Sequence, residues 1–418
     1  MNEATDRDWL IDARSGLRTK YAELLARLNA RTATLRPCFQ PASTNEALVE
    51  VTLAVARDAD LTLFDHDFGA REIEALGYST VQLNQPTTMI AGGTLTIASL
   101  AQLAAGGSRA RLGLFTSGST GLPKLVWQSV ANLARAVKVS TRHAEAIWAF
   151  AYNPTHVAGI QVYLQALANG CTVVDVQGLD RAGVLDALSC HRVTHISATP
   201  SFYRLLLPVD RSLPGVRSVT LGGERADGPL VAKVSALFPN ARVHNVYAST
   251  EAGTLLVADG DVFAIAPGLE GRIAVREGQL NVHRALLGEF AGCPLAGDWY
   301  ATGDMVEIVS EQPLRFRIVA RERDWVNVGG SKVNPHEVEA VLAAHPGVGQ
   351  VRVLGRKNSV MGHILCAEIV LLDAFVGLVT ETEIRAYAAE RLQPFKIPRI
   401  IRFVSQLATT RTGKLSRT

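Results

Sequence analysis

No run of about eighteen consecutive apolar residues occurs in this 418-residue chain, so no transmembrane helix is expected. The opening residues, Met1-Asn2-Glu3-Ala4-Thr5-Asp6-Arg7-Asp8, are acidic and polar, unlike a secretory signal. Cysteine is scarce. The five cysteines, at 38, 171, 190, 293 and 366, show no paired spacing, which argues against structural zinc and a disulfide framework. Charge is scarce as well: charged residues make up 19% of the chain, too few for a disordered or coiled-coil protein. The net charge of +3 is spread out, so nothing supports a nucleic-acid surface. No internal repeat or low-complexity segment is present. What remains is the composition of a soluble, cytoplasmic protein. Its 418 residues exceed what one core usually serves, and 48% apolar residues suffice for large cores.

Hydrophobic patterning predicts α/β layering. An amphipathic helix is expected over 15–30, then a helix over 46–56 and short strands near 61–64 and 80–84. Gly106-Gly107-Ser108 marks a turn before a strand at 111–115. That strand feeds the loop 116–124, with a helix expected over 129–139. From 157 to 245, helices alternate with strands at 172–174, 193–197, 216–221 and 242–246, as expected for parallel strands covered by helices. Such folds bind ligands at the carboxyl ends of their strands. Gly-rich, β-type sequence runs from about 252 to 319. A compact basic segment follows Arg321, with helices expected over 335–344 and 380–392. Pro335 suits a first helical position, and Glu337 and Glu339 suit a first turn.

The loop Thr116-Ser117-Gly118-Ser119-Thr120-Gly121-Leu122-Pro123-Lys124 combines glycines, hydroxyls and a cation. Gly118 and Gly121 allow tight turns in which N–H groups converge on an anion. Thr116, Ser117, Ser119 and Thr120 add donors, and Lys124 adds a charge suited to phosphate. Pro123 stands where a Walker A loop has glycine. Alone, the stretch also fits a plain Ser/Gly surface loop; an expected strand–loop–helix context favours phosphate. In Asn245-Val246-Tyr247-Ala248-Ser249-Thr250-Glu251, Tyr247 suits base stacking, Thr250 a phosphate and Glu251 a hard cation such as Mg²⁺. A helix cap by Ser249 or Thr250 accounts for the same residues. Trp299-Tyr300-Ala301-Thr302-Gly303-Asp304 offers a carboxylate for ribose hydroxyls. Gly222-Gly223-Glu224 is weaker, and Arg321-Glu322-Arg323-Asp324 fits a solvated charge run. His156, beside apolar residues, fits a packed or gating residue. Lys414, in Thr412-Gly413-Lys414-Leu415, is a second candidate for phosphate oxygens.

In order and spacing, from about residue 110 to the end, these segments resemble the adenylate-forming superfamily of acyl- and aryl-CoA synthetases, peptide-synthetase adenylation domains and luciferases. The phosphate loop Thr116–Lys124, Tyr247–Glu251, Tyr300–Asp304, Ala320–Asp324 and Gly413-Lys414 carry the resemblance. It implies an α/β fold with a large layered N-terminal domain, 1–321, containing a β-rich subdomain, and a small mobile α+β C-terminal domain, 322–418, hinged at Arg323. It further implies that Asn245, Tyr247, Ala248, Ser249 and Gly222-Gly223-Glu224 belong to the nucleotide site, with Tyr247 against adenine. Asp304 and Arg321 would hold the ribose, Thr250 the α-phosphate and Glu251 Mg²⁺. Lys414 would contact the carboxylate and the α-phosphate, and the segment around Gly330 would line a thiol tunnel. Alanine replaces the family glycine at 248 and 320. The region before Thr116 is short, somewhat like o-succinylbenzoate–CoA ligases.

The resemblance implies an AMP-forming acid–thiol ligase using ATP and Mg²⁺. Ala151-Tyr152-Asn153-Pro154-Thr155-His156 resembles the His-bearing pattern of acyl- and aryl-CoA ligases, which implies an aryl or short-to-medium acyl acid. Val157, Ala158, Ile160, Gln161, Ala198 and Thr199 are pocket candidates that packing explains equally. Coenzyme A is the expected acceptor, with a carrier-protein phosphopantetheine arm as the alternative. A non-catalytic nucleotide-binding relative is a further alternative, and either a monomer or a homodimer is expected.

Overall fold

The computed structural model describes residues 3–30, 32–90, 93–116, 123–226, 228–328, 331–358, 362–409 and 416. Ser117, Gly118, Ser119, Thr120, Gly121, Gly330 and Lys414 lie outside the described residues, as does the side chain of Arg323. The chain divides into two compact units. The first comprises 1–272 and 282–300, the second 273–281 and 301–418.

In the first unit, the strands Arg242–Ser249, Ser218–Gly222, His195–Ala198, Ile147–Phe150, Thr172–Asp175 and Asp8–Asp12 lie side by side in that order, all parallel. Antiparallel partners, Gly253–Asp259 and Arg18–Lys20, close the two ends of this run. Ile147–Phe150 comes earliest in sequence among the central strands. Its next neighbour in sequence, Thr172–Asp175, lies on one side of it and His195–Ala198 on the other. The winding direction therefore reverses at its carboxyl end, where α/β sheets open a crevice. Residues 151–156 leave the sheet at that point.

The helices between these strands are built from the signals in the sequence. Val157–Leu167 is apolar and mostly buried. Asp180 caps Arg181–Cys190 through Gly183 N at 2.8 Å. Thr199 caps Pro200–Leu205, whose first residue is the proline. Each cap satisfies an amide left open by helix geometry, typically worth about 1 kcal/mol. Leu185, Val219, Leu221 and Phe238 are buried in the core of this sheet.

A smaller sheet precedes it: Cys38–Phe39, Leu61–Leu63 and Arg111–Thr116 are parallel, and Lys124–Ser129 is antiparallel to Arg111–Thr116. The helix Thr44–Ala56 packs in the same core and is buried from Ala47 to Val55. Three expectations fail here. Residues 80–84 form turns and no strand. Only Tyr21–Leu28 of 15–30 is helical, because Arg18–Lys20 is drawn into pairing with Asp8–Asp12. The loop 116–124 leads into a strand rather than a helix. Leu125-Val126-Trp127-Gln128 buries Val126 and Gln128 in alternation, the two-residue period of a strand, and only Val130–Leu133 is α-helical beyond it.

In the second unit, the strands Ile273–Arg276, Gln279–His283, Trp299–Glu311 and Leu314–Arg321 are neighbours in order. A separate sheet orders Ser331–Val333, Val326–Val328, Gly362–Leu371 and Val348–Asn358, with Ile400–Phe403 parallel to Gly362–Leu371. The helices Pro335–Ala343 and Glu381–Ala389 bury Val338, Leu342, Ile384 and Ala388 in its core. This is the α+β arrangement expected after the large α/β domain.

Candidate functional site

Thr116 and Lys124 are directly paired in the antiparallel hairpin Arg111–Ser129, so the loop starts and ends at one point of the small sheet. Lys124 Nζ stands 3.5 Å from the centroid of the Phe290 ring, and Lys124 makes no ion pair with a described residue. A ring face holds an ammonium weakly, by about 0.5–2 kcal/mol, and leaves it free to meet an anion. Phe290 in turn packs edge-on against Tyr300, 5.8 Å between centroids.

Gln128, four residues beyond Lys124, is fully buried. Its Nε2 donates to the carbonyls of Thr250 at 2.7 Å and Glu251 at 2.9 Å. Gly288 N also donates to the Glu251 carbonyl, at 2.7 Å. One side chain thus ties the strand leaving the phosphate-type loop to the Thr250-Glu251 turn. The turn joins Arg242–Ser249 to the antiparallel strand Gly253–Asp259, and Ser249 Oγ accepts from Ala252 N at 3.2 Å. No helix follows, so the helix-cap account of Ser249 and Thr250 fails: Gly253, at φ +67°, turns the chain back into the sheet. The Glu251 carboxylate makes no hydrogen bond or ion pair with a described residue, while its backbone is held. A fixed, uncommitted carboxylate fits a hard divalent cation such as Mg²⁺.

Tyr247 and Asn245 are buried on the strand that ends in this turn. Ala248 sits at a register shift in its pairing with Gly253–Asp259, and buried Ala320 borders another in the pairing of Leu314–Arg321 with Trp299–Glu311. Neither has positive φ, so the alanines replace glycine without backbone strain. At Gly222, a β-carbon would come within 2.7 Å of the Val246 side chain, so only glycine fits. Gly223 has φ +83°. Next to it, the Glu224 carboxylate accepts from Ser201 N at 2.9 Å and from Ser201 Oγ at 2.8 Å.

His156 stands at the cap position of Val157–Leu167, beyond the strand where the winding reverses. Its Nε2 lies 3.0 Å from Asp65 Oδ2. Asp65 Oδ1 accepts from Asn153 Nδ2 at 2.9 Å and from the Thr155 hydroxyl. Burial works against the Asp65 charge, but the bond and positive partner at His156, with donors from Thr155 and Asn153, outweigh it. The carboxyl is held below its ordinary value. Because an ionised carboxylate only accepts, His156 presents Nε2–H to it. Of the acyl-pocket candidates, Val157 and Ile160 are buried in the core. The Gln161 amide is engaged with the Leu133 carbonyl and Thr254 Oγ1, and Thr199 caps a helix.

In the second unit, Asp304 and Arg321 are cross-strand partners, and Arg321 Nε donates to Asp304 Oδ1 at 3.0 Å. The Asp304 side chain is 5% exposed and that of Arg321 43%, so a buried acid is held by a cation with one side in solvent. Thr302 Oγ1 accepts from Asp304 N at 3.1 Å and donates to the Leu280 carbonyl at 2.9 Å.

Gln128 and Asp65 were not among the residues expected from sequence. A buried polar residue at every second position of a β-type run was the available signal for Gln128. For Asp65 it was an acid directly after a predicted strand, in Phe64-Asp65-His66-Asp67.

The model of the AMP-binding enzymes matches residues 104–275, and that of the AMP-binding enzyme C-terminal domain matches 337–414. The chain belongs to the adenylate-forming superfamily of AMP-binding enzymes. It is similar to the 2-succinylbenzoate–CoA ligase of Listeria monocytogenes, 26% identical over 341 residues, covering 74% of this chain and 69% of that protein. The ATP-bound structure of MatB from Rhodopseudomonas palustris superimposes with a TM-score of 0.74 at 20% identity, over 99% of this chain and 95% of that one. The o-succinylbenzoate coenzyme A synthetase of Bacillus subtilis, in complex with ATP and magnesium ion, superimposes at 0.72 and 20% identity, over 98% and 95%. Among the described residues, no helix is long and apolar enough to cross a membrane.

Proposed function

We propose that this chain is an ATP-dependent acid–thiol ligase acting on an aryl or short-to-medium acyl acid, with coenzyme A as acceptor, in the cytoplasm. The observation that carries the proposal is the Gln128 anchor, which ties the strand after Thr116–Lys124 to the Thr250-Glu251 turn. A run of glycines and hydroxyls that ends on Lys124, with a backbone-held carboxylate uncommitted among the described residues, suits a polyphosphate with its cation. The curated relative named above is a CoA ligase, and a superimposed structure holds ATP and magnesium.

In the first half-reaction, a substrate carboxylate oxygen attacks the α-phosphorus. The bond from that phosphorus to the bridging β-oxygen breaks, and diphosphate leaves. Lys124 and the loop Thr116–Gly121 hold the departing phosphates. Thr250 donates to the α-phosphate, and Glu251 would hold Mg²⁺, which supplies charge neutralisation there. Asp304 and Arg321 hold the ribose, Tyr247 lies against the base and Gly222-Gly223-Glu224 lines that pocket. Lys414 neutralises the carboxylate and the α-phosphate; a compact ammonium on a flexible stem follows both oxygens as they close. Rate comes from positioning and electrostatics rather than covalent chemistry. In the second half-reaction a thiolate attacks the acyl carbon and AMP leaves. His156 stands at the acyl side and Gly330 lies along the thiol path. The C-terminal domain, 322–418, turns about Arg323 between the half-reactions.

The test is a panel of benzoate, 2-succinylbenzoate, malonate, butyrate and octanoate, each with ATP and Mg²⁺ and with either coenzyme A or a phosphopantetheinylated carrier protein. Release of AMP and diphosphate with an acyl-CoA mass is expected for at least one acid. Thioester on the carrier alone would reassign the acceptor. Failure of acid-dependent diphosphate exchange with every acid would leave a nucleotide-binding protein without turnover.

A further inference from the structure

Asp65 is a buried acid that serves the large sheet from the small one. It stands two residues beyond the strand Leu61–Leu63. Its backbone is held, because its carbonyl accepts from Gln40 Nε2 at 2.8 Å and from Phe68 N at 3.1 Å. The preceding residue, Phe64, is packed among Phe68, Tyr78 and Phe115. From this fixed point the carboxylate gathers one loop of the large sheet. Oδ1 takes Asn153 Nδ2 at 2.9 Å and the Thr155 hydroxyl, and Oδ2 takes His156 Nε2 at 3.0 Å.

The loop is braced as well. Asn153 Oδ1 accepts from Thr155 N at 3.0 Å, and His156 N donates to the Asn153 carbonyl at 3.2 Å. A β-carbon at Gly159 would collide with that carbonyl, so only glycine lets the helix Val157–Leu167 start so close to the loop. His156 is therefore locked at one ring nitrogen and open at the other. Its Nδ1 makes no hydrogen bond with a described residue and does not cap the helix it precedes. The side chain is 13% exposed, so the fixed ring keeps a small accessible face. That face lies beyond the carboxyl end of Ile147–Phe150, where the winding reverses and a crevice is expected. A protonated imidazole donates through both nitrogens; Nε2–H is spent on Asp65, and Nδ1–H remains. The ionised acid makes such a cation tolerable in a largely buried place, and the pair is neutral as a whole.

We propose that Asp65 is a positioning residue for the substrate acid: it holds His156 by Nε2 so that Nδ1–H donates to the incoming carboxylate. The inference rests on the acid-activating reading above and deepens it. A carboxylate that leaves water for this crevice loses hydration, which a charge-assisted donor replaces. A ring already fixed loses little freedom in meeting it. The device reads the carboxylate itself, whatever body is attached. Once the acyl-adenylate forms, the anionic oxygen is bound to phosphorus, and the need for this donor ends.

The test variant is Asp65→Asn, which keeps the size and an acceptor for Nε2–H but removes the charge. It is assayed well below its melting temperature with two ligands. One is the most active acid of the panel above. The other is the primary amide of that acid at the reacting carboxyl, an uncharged competitor with the same body. In ATP–diphosphate exchange, KM for the acid is expected to rise about tenfold or more, while KM for MgATP and the inhibition constant of the amide stay within about twofold. In the double variant with His156→Gln the losses should not add, because the acid acts through the imidazole. A parallel weakening of acid and amide, which a merely structural role would produce, would overturn the inference and leave the ligase reading standing. An unchanged KM for the acid, or additive losses in the double variant, would do the same. If the parent protein supports no acid-dependent exchange with any acid of the panel, the ligase reading falls and the inference falls with it.

Discussion

Each unit fixes chemistry-bearing chain with one buried side chain that gathers two backbone carbonyls, but the two anchors differ in kind. In the first unit the anchor is neutral: Gln128 donates through one nitrogen to Thr250 and Glu251, and its own Oε1 finds no partner among the described residues. In the second unit it is charged: Arg352 holds Ala408 and Ser416 and is balanced by Glu368. The difference follows from what surrounds each anchor. Gln128 sits where Gly288 N already shares the work at Glu251, so a neutral amide suffices. Beyond Ile400–Phe403, Ser416 N donates to the Ala408 carbonyl, and the Arg352 guanidinium donates to the carbonyls of both. A neutral anchor is inexpensive to bury and modest in strength. A charged one is stronger, and losing its partner is costly.

The sharpest break in the comparison comes from what the anchors serve. Lys414→Ala is expected to lower adenylation by about two to three orders of magnitude, the usual loss for one preorganised charge at a transition state. Conversion of supplied acyl-adenylate to thioester should be spared, and single-turnover assays of the two half-reactions check both. Next is the neutral anchor. Gln128→Leu keeps the volume and strands the Thr250 carbonyl, at about 1–3 kcal/mol, so kcat/KM for MgATP should fall by about tenfold to a hundredfold. Steady-state kinetics at fixed acid would show it; an unchanged value would mean that Gly288 alone holds the turn. Glu251→Gln should leave melting temperature unchanged and raise the Mg²⁺ concentration for half-maximal activity about tenfold, read from metal titrations at saturating ATP.

A second charged device lies in the first unit, so charge is not confined to the tail. Asp65 has a lowered pKa, its burial outweighed by His156, Thr155 and Asn153. Such a group stabilises fully above the ordinary carboxylate value of 3.8 and loses that contribution as pH falls below it. Asp65→Asn should therefore lower the melting temperature at neutral pH, with the gap to the parent closing as pH drops below about 4. The smallest effect is expected at His195, far from the site. Burial first, then His143 and Arg217, push its pKa down from 6.5 to about 4. The unfolded chain takes up that proton before the folded one, so stability should decline as pH falls from 6.5 towards 4. His195→Gln should flatten that slope in denaturant titrations.

Much of the framework was legible before any coordinates. The helix–strand alternation from 157 to 245 reads directly from apolar spacing, because periodicity is a local property of the chain. The Gly-hydroxyl loop and the acid after Tyr247 are likewise visible as words in the sequence. What misled was also local. A loop over 116–124 and a helix over 129–139 leave 125–128 unassigned, yet 124–129 form a strand paired with Arg111–Thr116. Pairing partners are chosen by the whole sheet, not by propensity.

The sequence alone determined which residues are on offer for the proposed chemistry: the loop hydroxyls, Lys124, Glu251, Asp304 and Lys414 are there whatever the fold. Only tertiary structure decided what holds them. Gln128 and Thr250 lie far apart in the chain, as do Asp65 and His156, or Arg352 and Ser416, and each pair meets through a buried polar contact. A motif is local because the reacting groups of one loop must sit together. An anchor is remote because a buried polar group takes whatever partner the packed core delivers to it.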